Sequence, residues 1–165
     1  MPNSFADQYR RWFEYETDAH AKVLASLATV PSDRRPGPEF KRAVNLFAHV
    51  TGARQIWLFR LGVIPNPPEH LFPECAEFEP LAQHWEDVRQ KWADYFGRLT
   101  DAELDRVFEY TSFDGGRFRN RIGDVLTQLF GHSWYHRGQI AMLVKQAGGT
   151  PAVTDLIYWC REPVI

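Results

Sequence analysis

The chain has 165 residues, 44% hydrophobic and 24% charged, which is typical of a folded globular protein and argues against disorder. Its 19 basic and 21 acidic residues give a formal net charge of −2, without the basic surface that a nucleic-acid-binding protein needs. The two cysteines are far apart and form no CxxC pair, which argues against a disulfide framework and favours a reducing compartment.

The sequence also indicates the compartment of the protein and the number of its domains. The N-terminal residues contain no apolar signal region, and no segment has the roughly 18 uninterrupted apolar residues of a membrane-spanning helix. We therefore expect a cytoplasmic protein that has neither a membrane nor a nucleic acid as its partner. The length suits a single domain over residues 1–165.

Hydrophobic residues recur every three or four positions in four long segments, which is the pattern of amphipathic helices. We expect these helices over residues 4–28, 39–61, 80–99 and 122–147. Prolines and a glycine follow the first segment, a proline-rich stretch follows the second, and Gly148 with Gly149 ends the fourth. Four such helices around one core predict an all-α four-helix bundle.

The pattern changes between the third and fourth predicted helices. Residues 100–103 (TDAE) have the form of a capping box, which predicts one short helical turn. Residues 107–111 and 116–120 flank the pair Asp114-Gly115, which is a hairpin turn signal. The sequence therefore predicts a small hairpin or two extended strands before the last long helix. Residues 155–160 suffice for one short helix near the end of the chain.

His132 and His136 lie four positions apart on the fourth predicted helix, on the face that carries its apolar residues. Paired imidazoles at this spacing are a common way for a helix to supply two metal ligands. Neutral imidazole suits zinc, nickel, copper and iron. Two core histidines that hydrogen-bond to neighbouring groups would show the same spacing, so the pattern leaves both interpretations open.

A two-histidine site needs a third ligand, and three other helices offer a candidate. His49 lies midway along the second predicted helix, although at the flank of its apolar stripe. His20 falls on the stripe of the first helix and His84 at the edge of the third, so spacing alone leaves these three residues open. His70 lies in the proline-rich stretch and is expected at the surface.

Two polar residues interrupt the apolar stripe of the first predicted helix. Glu16 and His20 occupy positions that periodicity assigns to the interior, where unpaired polar groups are costly. One hypothesis places both side chains at the pocket around a metal, with His20 as a substrate contact. The alternative is a hydrogen bond between the two, since residues four apart on a helix are neighbours.

Two parts of the sequence resemble the DinB-like family. The second helix of that family is similar to residues 47–50 (FAHV) and 54–61 (RQIWLFRL). Its C-terminal signature is similar to residues 132–140 (HSWYHRGQI), 148–151 (GGTP) and Asp155. The resemblance covers nearly the whole chain, because the order of the helices, the segment before the last helix and the tail also fit.

The resemblance implies an up-up-down-down bundle in which one histidine of the second helix and two of the last bind a divalent metal, zinc or nickel. In this sequence the ligands would be His49, His132 and His136. Three neutral histidines leave a fourth position open to water or substrate, as in catalytic zinc sites. Gln139 is a candidate to hydrogen-bond a bound ligand, and Arg137 is expected to form a salt bridge at a helix boundary or dimer face.

The family also suggests an activity, the transfer of sulfur from a low-molecular-weight thiol to a small molecule. A metal ion can coordinate a thiol and favour its thiolate, so no cysteine of the chain need react. One alternative is metal-assisted hydrolysis with Glu16 as the base. Another is a non-catalytic, stress-related bundle whose metal organises the core.

The resemblance further favours a homodimer, to which the aromatic-rich first or third helix would contribute. Asp155 either receives a contact from Arg137 or caps the tail helix.

Overall fold

The structure is a computed structural model that describes residues 4–164. The chain is predominantly helical and contains a small two-stranded sheet. Its elements are α1 (Phe5–Ala28), α2 (Pro38–Arg60), α3 (Leu81–Gly97), α4 (Asp101–Asp105), β1 (Val107–Thr111), β2 (Arg117–Arg121), α5 (Ile122–Gln146) and α6 (Leu156–Cys160). The four helices predicted from periodicity are confirmed to within two residues at each end. Within residues 4–164, no helix combines the length and hydrophobicity needed to cross a lipid bilayer.

The four long helices run up, down, down and up. The Tyr9 hydroxyl donates to the carbonyl oxygen of Gly123 at 3.0 Å, which places the start of α1 beside the start of α5. The Trp92 indole donates to the carbonyl oxygen of Arg54 at 3.2 Å, which places the second halves of α2 and α3 side by side. The implied up-up-down-down order is therefore wrong. The short connection over residues 29–37 turns the chain back, whereas residues 61–80 are long enough to return along a whole helix.

Two hydrophobic clusters fill the interior. One includes Leu27, Phe47 and Val144, and the other includes Trp92 and Ile122. Between the parts of α1, α2 and α5 that form these clusters lie six of the buried polar residues, which are Glu16, His20, Thr51, Arg54, Ser133 and Arg137. The core therefore has a polar layer between two apolar ones, because each long helix crosses from one cluster to the other.

The predicted hairpin is confirmed. Strands β1 and β2 pair in antiparallel fashion, from Val107 opposite Arg121 to Thr111 opposite Arg117. The N–H of Gly115 donates to the Ser112 carbonyl at 3.1 Å, and Gly115 has φ +84°. The turn is thus a longer loop with glycine in the left-handed conformation, since such loops follow a type I turn with that conformation.

The structure shows how the predicted capping residues at the start of α4 and the end of α5 act. The Thr100 hydroxyl accepts from the N–H of Glu103 at 3.1 Å and so caps α4. The Glu103 carboxylate binds the Arg106 guanidinium at 2.8 Å, so it contributes to a surface ion pair. Gly148 follows α5 with φ +84°, which confirms the predicted end of that helix because glycine adopts this conformation without a steric penalty.

Candidate metal centre

Three histidines from two helices bring their ring nitrogens together. His49 lies in the middle of α2, and His132 and His136 lie one turn apart on α5. The Nε2 atom of His132 is 3.1 Å from that of His49 and 3.1 Å from that of His136. One ligand atom of each residue lies within 4.8 Å of the others. Nitrogens in tetrahedral coordination to zinc would be about 3.3 Å apart, so the spacing fits a shared cation.

The second nitrogen of two of these rings is held by an acceptor. The Nδ1–H of His49 donates to the carbonyl oxygen of Leu71 at 2.6 Å, and that of His136 donates to Oε1 of Gln139 at 2.7 Å. Because a neutral imidazole has one N–H, both Nε2 atoms carry lone pairs that face the centre. Lone pairs so close together need a cation or a proton between them. The donor set therefore fits a divalent metal ion.

The three histidines of the centre are half-buried, and the surroundings of His132 and His136 favour the neutral form. Burial is the main factor that lowers the pKa of His132 to about 4, with further contributions from His136, His49 and Arg54. Burial also lowers the pKa of His136, against the opposing effect of its hydrogen bond to Gln139. Since neutral imidazole is the form that binds metals, these side chains are ready to act as ligands at neutral pH.

The other candidate histidines do not join this centre. The Nε2 atom of His84 lies 3.1 Å from Oε1 of Gln55, and His20 is buried against the ring of Trp85. The His70 side chain is 73% exposed, which confirms its expected place at the surface. Within residues 4–164, the group of possible ligands that includes His49 contains none of these three.

Glu16 is paired with an arginine rather than with His20. Glu16 and Arg54 are both fully buried and form a salt bridge between α1 and α2. The Nε2 atom of His20 is 3.9 Å from Oε1 of Glu16, which is beyond hydrogen-bond distance. The alternative of a hydrogen bond between Glu16 and His20 is therefore wrong. The Glu16 carboxylate binds instead the charged guanidinium of Arg54 on the neighbouring helix α2. That either residue contacts a ligand remains a prediction.

Arg137 lies inside α5 and is buried, not placed at a helix boundary as expected. Its side chain is 4% exposed, and its Nη2 donates to the hydroxyl of Tyr15 at 2.6 Å. Burial, then the positive charges of Arg137 and Arg54, lower the pKa of His20 well below its ordinary value. Asp155 stands at the N-cap of α6, where its side chain makes no capping hydrogen bond.

The polar layer has more hydrogen-bond donors than acceptors. Among the residues that the structure describes, Nε and Nη1 of both Arg54 and Arg137 have no hydrogen-bond partner, and neither has the Ser133 hydroxyl. Oε1 of Glu16 and the ring nitrogens of His20 also have none within the described residues, so the unpartnered donors outnumber the unpartnered acceptors. The described part of this layer thus contains two buried guanidinium groups and one buried carboxylate, that of Glu16, which forms its salt bridge with Arg54. Unpartnered buried donors are costly unless water or a ligand satisfies them, so the layer next to His132 favours negative charge nearby.

A family model described as the DinB family matches residues 1–161. The chain belongs to the DinB family. Comparison with curated proteins and with solved structures gives no match. The DinB match includes all three histidines of the centre and every helix and strand of the structure. It confirms the family to which the sequence motifs pointed.

Sequence reasoning on this DinB chain missed two features of the centre. The burial of Arg54 could have been predicted from the sequence. Arg54 lies seven residues after Phe47 and four after Val50, on the apolar face of α2. Leu71 and Phe72, which contact His49, gave no such signal. They belong to an aperiodic segment, and only the folded chain shows where such a segment lies.

Proposed function

We propose that this DinB protein is a metal-dependent thiol S-transferase. His49, His132 and His136 would hold a divalent ion, zinc or nickel, through their Nε2 atoms. The observation that carries the metal site is the convergence of these nitrogens at 3.1 Å, with the lone pairs of His49 and His136 turned inwards by their Nδ1 hydrogen bonds. The four long helices would form a single four-helix-bundle domain over residues 1–165 that presents the two ligand-bearing helices to each other.

The open position of the site would take a low-molecular-weight thiol as co-substrate. A divalent cation there would lower the pKa of the thiol and favour the thiolate. The excess positive charge of Arg54 and Arg137 over Glu16 also favours an anion. The thiol proton leaves to solvent, the sulfur lone pair forms a bond to an electrophilic carbon, and the leaving group departs with the electrons of the broken bond. We place this reaction in the cytoplasm, where small thiols stay reduced.

The thiol must come from outside the chain. Cys75 is exposed and Cys160 is half-buried, and neither belongs to the ligand group formed by the described residues. A chain whose own cysteines are not among the metal ligands can still perform sulfur transfer if a soluble thiol binds at the open position. This division of roles explains why a thiol-dependent protein can have scattered cysteines.

Two alternatives to S-transfer differ in how well they agree with the geometry. Hydrolysis would need a carboxylate base beside a bound water, but Glu16 is fully buried and paired with Arg54. A carboxylate that is out of contact with solvent and bound to an arginine is poorly placed to accept a proton from a metal-bound water. In the non-catalytic, stress-related alternative, the metal only organises the core. That role predicts a loss of stability on metal removal without any turnover to lose.

Elemental analysis of purified variants tests the metal site. His49→Ala, His132→Ala and His136→Ala should each abolish stoichiometric binding of a divalent metal. His70→Ala is the control and should retain it, because its side chain is exposed beside Glu69. Full occupancy in His49→Ala would refute the three-histidine site.

Cobalt substitution tests the thiol. Addition of a small thiol to cobalt-loaded protein should produce the intense absorption of a cobalt–thiolate bond, and His132→Ala should not show it. The absorption should weaken in acid, since protonated histidines release the metal. An unchanged spectrum with several thiols at millimolar concentration would refute S-transfer and leave the metal site standing, with a non-catalytic role as the next proposal.

We also propose that the protein forms a homodimer. Large hydrophobic side chains remain exposed on α5 and α6, among them Trp134, Met142 and Ile157. Such side chains supply apolar area that a second copy of the chain would cover. The sequence had pointed instead to α1 or α3, and the choice between these faces remains a prediction.

A further inference from the structure

One aromatic side chain lies directly on a histidine of the metal centre and is exposed to solvent on its other side. The ring of Phe72 stacks on the ring of His49, with centroids 4.7 Å apart and an angle of 17° between the planes. Phe72 is nevertheless 72% exposed. Its contact with His49 therefore leaves most of the phenyl ring free to meet a second flat group.

The position of Phe72 is set by its backbone rather than by burial of its ring. The preceding residue, Leu71, accepts the hydrogen bond from Nδ1 of His49. Further along the loop, the side chain of Asn45 donates to the carbonyl of Glu74 at 2.8 Å and accepts from the N–H of Ala76 at 2.9 Å. These bonds tie the loop to α2 and hold the Phe72 ring against that of His49.

Gly52 also allows this loop to approach α2. A Cβ atom at position 52 would lie 3.4 Å from the carbonyl oxygen of His70, at the limit of ordinary contact. A larger side chain there would push the loop away from the helix. The absence of a side chain at Gly52 thus leaves room for residues 70–72 to lie against the face of α2 that carries His49.

A second exposed aromatic residue lies next to another ligand of the centre. The ring of Tyr135 meets that of His136 edge to face, with centroids 5.1 Å apart, and Tyr135 is 65% exposed. Phe72 and Tyr135 therefore add apolar, aromatic surface beside the ligands from α2 and α5 respectively. Neither ring is needed to fill the core, since both are largely in solvent.

We propose that Phe72 determines specificity at this site by stacking on a planar apolar group of the ligand bound at the open metal position, with Tyr135 as a second aromatic contact. This inference rests on the proposed metal site, and it specifies the substrate as a molecule with an aromatic or conjugated planar part. Offset stacking of aromatic rings favours such a group over a saturated ring of the same size, by about fivefold in affinity.

A matched pair of metal-binding probes tests the inference without any turnover. Benzohydroxamate and cyclohexanecarbohydroxamate carry the same metal-binding group, and they differ in whether the six-membered ring is flat. A purely hydrophobic surface would favour the saturated ring, because it is the more apolar of the two. Titration of the cobalt-loaded full-length protein gives both dissociation constants.

We expect the wild-type protein to bind benzohydroxamate about fivefold more tightly than the cyclohexane probe. Phe72→Leu keeps an apolar side chain but removes the flat ring, so the ratio of the two constants should fall to near one. Phe5→Leu is the matched control, because Phe5 is 76% exposed at the start of α1, and it should keep the wild-type ratio. The cobalt content should be the same in all three proteins.

The outcomes separate this inference from the metal site on which it rests. If the wild-type protein holds no cobalt, the metal site fails and this inference fails with it. If cobalt is bound but the ratio is near one in the wild-type protein, or is unchanged in Phe72→Leu, only the role of Phe72 is overturned. Absence of binding by either hydroxamate to the cobalt-loaded protein also overturns it.

Discussion

Glu16 of α1 and Arg54 of α2 form a salt bridge in which neither side chain is more than 1% exposed. The pair crosses the polar layer between the two hydrophobic clusters, and Arg54 lies with its guanidinium 5.1 Å from the centre of the Phe130 ring. Removing both ions from water is costly, so such a pair is stable only while each ion keeps its partner. The pair therefore links the packing of α1 and α2 to the charge next to His132.

A double-mutant cycle should show this dependence. Glu16→Leu or Arg54→Met alone leaves one buried charge unpaired and should lower the free energy of unfolding by about 3–5 kcal/mol. The double variant should lose much less than the sum of the two, because no unpaired charge remains. Urea unfolding of the four proteins measures the coupling. If one single variant does not fold while the double variant does, coupling is shown directly.

The control for this cycle is the surface pair Glu86 and Arg89, three residues apart on α3. Solvent screens its charges, so its coupling should be no more than about 0.5 kcal/mol. Additive effects at Glu16 and Arg54, similar to those of the surface pair, would contradict the account of the polar layer.

Gln139 should affect metal affinity through His136. Its side-chain oxygen accepts from Nδ1 of His136 and so keeps Nε2 free to bind a metal. Gln139→Leu should weaken metal binding by about 10–100-fold, as is usual when the group that orients a histidine ligand is lost. Competition with a chelator measures the affinity. Gln128→Leu, at an exposed position on the same helix, should have no effect. Equal affinities of the two variants would contradict this role and leave Gln139 as a candidate contact for the bound ligand.

The pH dependence of stability should contain a contribution from His20. The folded protein keeps His20 neutral, with its pKa well below the ordinary value, while the unfolded chain binds the proton near pH 6.5. The stability due to neutral His20 is therefore complete above about pH 6.5 and is lost as the pH falls below it, by up to about 1.4 kcal/mol per pH unit. Glu16, Arg54 and Arg137 are the charged groups of the layer around it.

Urea unfolding of the metal-free protein between pH 7.5 and pH 5 measures this contribution. His20→Phe, whose ring can occupy the space against Phe47 and Trp85, should lose stability less steeply in acid than the wild-type protein. A chelator in every sample prevents metal release from adding to the slope. Parallel curves for the two proteins would show that His20 does not resist protonation in the folded state.

Light scattering at micromolar concentration should give twice the chain mass of 19.2 kDa. Met142→Glu, on α5, should shift the protein towards the monomer, because a charge there cannot be buried in an apolar contact without cost. Val107→Glu on β1 is the control, since both side chains are 55% exposed. A dimeric Met142→Glu variant would return the interface to α1 or α3, and a monomeric wild-type protein would remove the dimer.

The sequence by itself determined the helices, the hairpin and the pairing of His132 with His136. Each of these depends on residues that are close in the chain: a hydrophobic repeat of three or four, a glycine in a turn, or ligands one helical turn apart. Such local patterns act in the same way whatever the rest of the fold does. They located two of the three histidines of the centre without any knowledge of packing.

Spacing left His49, His20 and His84 open as the third histidine, the family resemblance pointed to His49, and the tertiary structure shows why His49 is the one that meets His132. On its own helix His49 looked like a flanking residue, but α2 packs more extensively against α5 than any other two helices of the described chain, and this turns the flank of α2 towards His132. The directions of the helices, the Glu16–Arg54 pair and the contact of Phe72 with His49 arise in the same way. They depend on how far loops return the chain and how helices rotate against each other, which are properties of the whole fold and not of any one segment.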